Sequence, residues 1–514
     1  MCAAVAHTSL TCLFGTLTTA DVDLLILPWF EGDTPVTFDG LDAATSGEIA
    51  RALESREFSS RPFDLFITPL VRPWSARRIA LIGAGRADAY TPGLARKLAT
   101  AGGLAARARR IPRAGFVLRP GQAAPSGDVD VAGFAQAIAE GFTLSTFSNG
   151  TYQTTERIDV TPSFTIVVPE LRDSSPESPG RIEGAAARGR IMGESTNLAR
   201  ALTNEPGNTL TPRELAARTT AIAAEGGAEV EVLDERQIEA LNMGLLLGVA
   251  RGSSEPPRMM VFRLTPPDVK SGAVLALVGK GIAFDSGGLS LKPADGMEKM
   301  KADMAGGAAV ACAVRAIGLL GAPIRVIGVV AATENMPGER ALKPGDVLRS
   351  AEGKTVEITN TDAEGRLVLG DALWYARRLG ATHLVDVATL TGGITTALGK
   401  NTSGVFGTPD WFVDHVRRVG DRAGDRMWQL PIFDDYRDQL KSDIADMINC
   451  AGRPASAITA AMFLKEFTGG LPWAHVDIAG TAWADDAKPF MPKGPTGVAV
   501  RTLAELPFTT ETWK

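Results

Sequence analysis

Short apolar runs alternate with stretches of helical period along this chain, and the alternation predicts its architecture. Val22–Leu27 and Ile79–Gly83 are compact apolar runs of strand composition, whereas Pro92–Arg107 and Val131–Glu140 are alanine-rich and helical in composition. Pro169–Pro179, with its Ser, Pro, Asp and Glu, reads as a turn-rich linker. From Arg181 to Leu202 an apolar stripe of Ile182, Ala185, Ile191 (or Met192), Leu198 and Leu202 predicts a long helix joining two domains. Asn204-Glu205-Pro206-Gly207-Asn208 breaks that helix. Thr211-Pro212-Arg213-Glu214 then opens the next one with a capping residue and a proline in its first turn.

Farther on, Ala273–Val278, Ile324–Ala331, Thr355–Ile358, His383–Val387 and Ala474–Ile478 read as strands, and Met304–Leu319, Arg366–Leu379 and Ile458–Phe467 as helices. Buried strands alternating with helices imply a mixed or parallel sheet covered on both faces. The expected fold class is α/β in two domains. Residues 1–180 form a smaller N-terminal α/β domain, and residues 181–514 a linker helix plus a larger domain with a mixed central sheet flanked by helices. In open sheets of this kind, sites lie beyond the C-terminal ends of the strands.

Composition narrows the class. A chain of 514 residues is too long for one hydrophobic core, and 45% apolar with 22% charged residues is ordinary for a soluble globular protein. The net charge of −6 gives no overall field that would attract nucleic acid. Cys2, Cys12, Cys312 and Cys450 form no C-x-x-C pair and no disulfide framework, which suits a reducing cytoplasm. The N-terminus lacks the basic segment and apolar core of a signal peptide, and no run reaches the roughly 18 apolar residues of a membrane helix. A cytoplasmic protein without a membrane is expected.

Histidine is the informative absence. His7, His383, His415 and His475 are far apart and have no ligand spacing such as H-E-x-x-H, so any metal must be held mainly by oxygen. Two glycine-rich segments are decoys. Leu81–Asp88 begins like a dinucleotide loop but has Asp88 at the third glycine position, where a pyrophosphate needs room and positive dipole. Val278-Gly279-Lys280-Gly281 lacks the spacing of a phosphate loop, which leaves Lys280 in need of another role.

The strongest local signal is Asn360-Thr361-Asp362-Ala363-Glu364-Gly365-Arg366-Leu367, directly after a predicted strand. In an extended chain Asp362, Glu364 and Arg366 share a face. Alone this reads as a solvated loop. A second cluster changes that reading: Lys280–Pro293 leaves a buried strand through glycines and carries Asp285 and Lys292, and Met297–Met304 carries Asp303 into a helix rich in glycine and alanine. Asp285, Asp303, Asp362 and Glu364 together suit two divalent cations about 3.5–4 Å apart. Lys280 joins them only as a neutral amine, its pKa depressed by adjacent cations. Such a set suits Zn²⁺ or Mn²⁺, with Mg²⁺ as a further candidate.

At these residues the chain resembles the leucyl (cytosol) aminopeptidase family. Asn360–Leu367 reproduces the family's signature octapeptide, and Lys280, Asp285, Lys292, Asp303, Asp362, Glu364 and Arg366 stand in the family's order and spacing. Asn204–Asn208, Pro344–Asp346, Ala388–Gly392 and Trp473–Thr481 match as well, so the resemblance covers about residues 181–514. It implies a metal-dependent aminopeptidase acting on peptides with a free N-terminus. By resemblance, Lys280, Asp285, Asp303 and Glu364 hold the tighter metal, while Asp285, Asp362 and Glu364 hold the more exchangeable one. Lys292 polarises the scissile carbonyl and Arg366 holds a bicarbonate that relays the proton. Met300, Thr389 and Gly392, with part of Ala457–Met462, line the side-chain pocket; plain core packing is the other reading of Met300. The family assembles as a homohexamer.

Gly370 and Gly393 stand where the family often has alanine, away from the chemistry. Two other functions compete. Arg107, Arg109, Arg110, Arg113 and Arg119 could serve a DNA-binding regulator, although a charge run without interleaved aromatics is usually a solvated face. Paired metals with Lys292 and Arg366 would also serve a phosphoesterase.

Overall fold

The computed structural model describes residues 8–119, 130–155, 161–169, 178–510 and 513. Its contacts divide the chain into two units, one comprising Ala3–Asn197 with Asp486–Lys493, the other built on Leu198–Asp485 with Gly494–Lys514. The division falls inside the helix Pro179–Asn204. The predicted linker Pro169–Pro179 lies mostly outside the described residues.

The first unit is a six-stranded sheet in the order Leu10–Phe14, Ser163–Val168, Arg113–Val117, Leu24–Phe30, Arg78–Gly85, Leu65–Pro69. All neighbours are parallel except the last pair. Alternate residues of a strand face opposite sides. Leu24 and Ile26 pack under the helices Pro92–Ala108 and Val131–Leu144, while Leu25 and Leu27 pack with Leu41, Ile49 and Trp74 on the other side. Burial on both faces explains why this strand is a continuous apolar run.

Of the five arginines considered for a nucleic-acid surface, Arg107, Arg113 and Arg119 are engaged within the unit, whereas Arg109 and Arg110 are exposed. Arg107 is buried and donates from Nη1 to the carbonyls of Ser145 (2.6 Å) and Phe147 (2.9 Å). Arg113 forks onto Asp23 at 3.1 Å through both Nε and Nη2. Arg119 pairs with Asp33 at 2.6 Å and lies over the rings of Phe30 and Phe38. These guanidinium groups do not form a free phosphate-binding face.

The second unit holds an eight-stranded mixed sheet in the order Met427–Gln429, Ser403–Thr408, Trp473–Asp477, His383–Ala388, Val274–Asp285, Arg325–Asn335, Arg258–Leu264, Glu229–Leu233. Val274–Asp285 is central and parallel to both neighbours. It runs seven residues past the predicted end at Val278: His383–Ala388 pairs with it as far as Gly279, and pairing with Arg325–Asn335 carries it on through Gly281 to Asp285. Lys280 therefore stands on the sheet itself, and Asp285 is its last strand residue. The other predicted elements appear with ends moved by a few residues, among them Ala305–Leu320, Gly365–Arg378 and Ser456–Lys465.

One face of this sheet is covered by Gly365–Arg378, Gly244–Ala250 and Ser456–Lys465, which share one apolar cluster with it. On the other face the helix Ala305–Leu320 approaches backbone to backbone. A Cβ on Gly306 would lie 2.1 Å from the carbonyl oxygen of Val387, and one on Gly279 would lie 2.6 Å from Cα of Gly307. Asp371, buried in the signature helix, accepts hydrogen bonds from the amides of Leu245 (3.0 Å), Leu246 (3.0 Å) and Ala351 (2.9 Å), which fixes that helix to its neighbours.

By length and composition the stretch Met297–Leu320 could cross a membrane, but 83% of its most apolar window is buried within the fold. The tight helix–sheet seam makes a prediction. Gly306→Ala forces the helix off the strand and should cost about 1–3 kcal/mol of stability. Gly272→Ala, whose Cβ would meet nothing within 4 Å, should be neutral. Equal melting temperatures for the two variants would show that the seam does not depend on its glycines.

Candidate metal centre

The helix–sheet seam brings Asp303, in the step between the turn Met297–Ala302 and the helix Ala305–Leu320, against the central strand. Lys280, only 3% exposed, projects from that strand with Nζ 2.8 Å from Asp303 Oδ2 and 2.7 Å from Glu364 Oε1. Its third contact is a hydrogen bond donated to the carbonyl of Thr389 at 3.1 Å. Gly365 leaves the space the lysine needs, since a Cβ there would sit 2.7 Å from Lys280 Nζ.

The signature octapeptide is not an extended ribbon. Residues 360–364 turn, Glu364 is the N-cap, and Arg366 already lies in the first turn of Gly365–Arg378. The helix period replaces the expected two-residue alternation, so Arg366 stands on the first helical turn rather than on one ribbon face with Asp362 and Glu364. It does not line the cleft that Asp362 and Glu364 share, and its Nη1 donates to the carbonyl of Asn449 at 2.8 Å. Its Nε is buried without a hydrogen-bond partner. That orphan donor is what a small anion such as bicarbonate would satisfy.

Lys292 closes the group from the loop after the strand. Its Nζ lies 2.8 Å from Asp285 Oδ2 and also contacts Asp362 Oδ1. Asp285 is oriented by the amide of Gly287 at 2.9 Å and by Nδ2 of Asn335 at 2.8 Å. Thr361 ties the two loops, donating to the carbonyl of Gly287 (2.7 Å) and accepting from the amide of Ser290 (2.8 Å). Thr389 donates its hydroxyl to Asp303 Oδ1 at 2.7 Å.

The carboxylates crowd one another. Burial, then the neighbouring Asp285, raises Glu364 and Asp362 above the usual carboxylate range, and burial raises Asp303 against the pull of Lys280. Burial alone would lower Lys280 and Lys292, but the surrounding carboxylates outweigh it and raise both. Ligand oxygens of Asp285, Asp303 and Glu364 come within 4.8 Å of one another. Asp303 Oδ2, Asp362 Oδ1 and Glu364 Oε1 each face a lysine nitrogen and have no other hydrogen-bond donor. Converging buried oxygens short of donors fit divalent cations of the hard or borderline kind.

Lys280, Asp285, Lys292, Asp303, Asp362 and Glu364 line one cleft of about 350 Å³, together with Met300, Thr389 and Gly392. Met300 is half-buried at its wall rather than in the core. Ala457–Met462 contributes no lining residue, because its helix faces the core. Among the described residues no histidine lines the cleft; His475 is fully buried and held by Asp386 at 2.6 Å. Asn335, which also donates to the carbonyl of Thr361 at 3.1 Å, was not legible in the sequence. Neither was Asn449, which donates to the carbonyl of Asn360 (2.7 Å) and accepts from the amide of Thr359 (2.8 Å). Lys299, Lys400, Trp483 and Asp485 also line the cleft and were likewise not anticipated.

Comparison with known proteins agrees with this geometry. The model described as "Cytosol aminopeptidase family, catalytic domain" matches residues 197–504, and the family's N-terminal domain matches residues 26–156. A probable cytosol aminopeptidase of Solibacter usitatus is 46% identical, covering 95% of this chain and 96% of its own length. A mutant of tomato leucine aminopeptidase superposes with a TM-score of 0.86 at 31% identity, over 97% of this chain and 96% of its own. The bottromycin maturation enzyme BotP in complex with Mn superposes with a TM-score of 0.81 at 35% identity, over 95% of this chain and 99% of its own. Neither the phosphoesterase nor the DNA-binding reading finds support among them. With its carboxylate cleft and its likeness along both domains, this chain belongs to the cytosol aminopeptidase family and is a metal-dependent aminopeptidase.

Proposed function

We propose that the chain releases leucine-like N-terminal residues from peptides at a two-metal site built by Lys280, Asp285, Asp303, Asp362 and Glu364. The observation that carries this is the convergence of Asp285, Asp303 and Glu364 oxygens within 4.8 Å beside the paired Lys292 and Asp362. Lys280, Asp285, Asp303 and Glu364 would hold one cation, and Asp285, Asp362 and Glu364 the other, as Mn²⁺ or Zn²⁺ with Mg²⁺ a further candidate. When bound, such a pair brings the pKa of water toward neutrality and polarises a carbonyl.

The chain's own groups do the remaining work. Thr389 and Asn335 orient Asp303 and Asp285 through hydrogen bonds of 2.7 and 2.8 Å. Lys280 would coordinate as a neutral amine, its proton expelled by the cations that replace it as counter-charge. Lys292, freed from its carboxylates, would donate to the oxyanion that forms on the attacked carbonyl. Arg366 would hold bicarbonate through its unpartnered Nε and so place a proton acceptor in a site with no histidine. Met300, Thr389 and Gly392 would receive the first side chain. A cytoplasmic homohexamer is the assembly and location that family membership supports.

Hydrolysis of leucine p-nitroanilide at pH 8 to 9 tests the reading. A chelator should abolish it and lower the melting temperature, and Mn²⁺ or Zn²⁺ should restore both. N-acetyl-leucine p-nitroanilide should stay uncut, and its cleavage would sink the exopeptidase assignment. Lys292→Ala should reduce kcat by about 10²–10³-fold with less change in KM; a loss under about tenfold would remove Lys292 from the transition state. Sedimentation should give a particle of about six times the 54.1 kDa chain mass, and a particle at the chain mass itself would refute the hexamer.

A further inference from the structure

Away from the metal-binding carboxylates the cleft is partly apolar, with Met300, Ala482 and Trp483 on its wall, but it is also lined by Lys299, Lys400 and Asp485. These three are paired to one another. Lys299 Nζ lies 3.1 Å from Asp485 Oδ1, and Lys400 pairs with Oδ2 of the same carboxylate. Each oxygen thus takes one lysine, and one negative charge answers two positive ones. An ammonium has three N–H donors. With the lysine side chains 44% and 59% exposed, the remaining donors face water and are open to a newcomer. Lys301, two residues from Lys299, is different: it donates to the carbonyl of Asn204 at 2.6 Å and does not line the cleft.

We propose that Lys299, Lys400 and Asp485 form a carboxylate-selecting subsite, which gives this aminopeptidase a preference for peptides carrying a second anionic group near the free amine. The proposal rests on the site assignment above and adds the substrate class. An incoming carboxylate accepts hydrogen bonds from one or both ammoniums without displacing Asp485, since the trio already lacks one negative charge. An incoming lysine or arginine must compete with two resident lysines for a single carboxylate. A leucine side chain gains nothing from the trio and relies on the apolar wall. Two sources supply the same chemistry: the side chain of an N-terminal glutamate or aspartate, and the C-terminal carboxylate of a dipeptide.

The test compares kcat/KM of the Mn²⁺-loaded enzyme on glutamyl and glutaminyl p-nitroanilide, which differ only in charge, and on Leu-Gly and Leu-Gly amide. Leucine p-nitroanilide serves as the reference. Because the lysines are solvent-exposed, the acid-to-amide ratio in at least one pair should be about three- to tenfold and should shrink with added salt. A raised ratio in the first pair assigns the subsite to the first side chain, and in the second pair to the departing residue. Lys400→Met and Lys299→Met each leave Asp485 one lysine, and each should bring that ratio toward one. Ratios of one in both pairs, or a ratio that both variants leave unchanged, would overturn the proposal. Failure to cleave leucine p-nitroanilide under any metal would overturn the site assignment and the subsite with it.

Discussion

A lysine with almost no exposed surface lies between two buried carboxylates, and a second lysine lies against two more. Four carboxylates and two ammoniums leave an excess of two negative charges in a low-dielectric cleft, and an uncompensated buried charge costs several kcal/mol, about 3–5 when a partner is removed. The raised pKa values of Glu364, Asp303 and Asp362 express the same strain from the side of the protons. Divalent cations relieve it. Every other feature near the site serves to hold these groups where they repel one another.

The backbone does most of that holding. A sheet strand cannot slide without breaking its ladders: Lys280 and Asp285 are fixed by pairing with Arg325–Asn335, and the ladder with His383–Ala388 ends at Gly279, the residue before Lys280. Gly306 and Gly307 let the helix behind the sheet come close enough to set down Asp303, and Gly365 lets the signature helix start against the Lys280 side chain. Small residues here are the means by which charges are brought within ligand distance. Asn335, Thr361, Thr389 and Asn449 then spend their hydrogen bonds on the loops that carry the acids. The outer cleft is looser: its lysines are exposed, its ion pairs are screened, and it can discriminate among substrates without taking part in the chemistry.

Much of this could be read along the chain. Period and composition marked the two α/β regions, the long helix near residue 190 and the four inner strands of the second sheet that begin at Val274, Arg325, His383 and Trp473, because burial on both faces leaves a continuous apolar trace. Acidic residues after buried strands, and the near-absence of histidine, already required oxygen ligands, and residue type alone limits which cations such ligands accept. Other things had no local trace. The central strand continues through Gly279–Asp285 because Arg325–Asn335 pairs along it, not because those residues favour strands. Arg366 lies on a helix and not on a ribbon with Asp362 because a helix begins at Gly365, and only the fold decides where that helix starts. Asn335, Asn449 and the trio of Lys299, Lys400 and Asp485 come from separate segments, so their meeting is a product of chain path. The sequence by itself determined the chemical kinds of ligand and the order of elements, since both are local properties of residue type and period. The tertiary structure alone decided which charges face one another and which stay in water, since distance between remote residues is set by strand pairing and close packing.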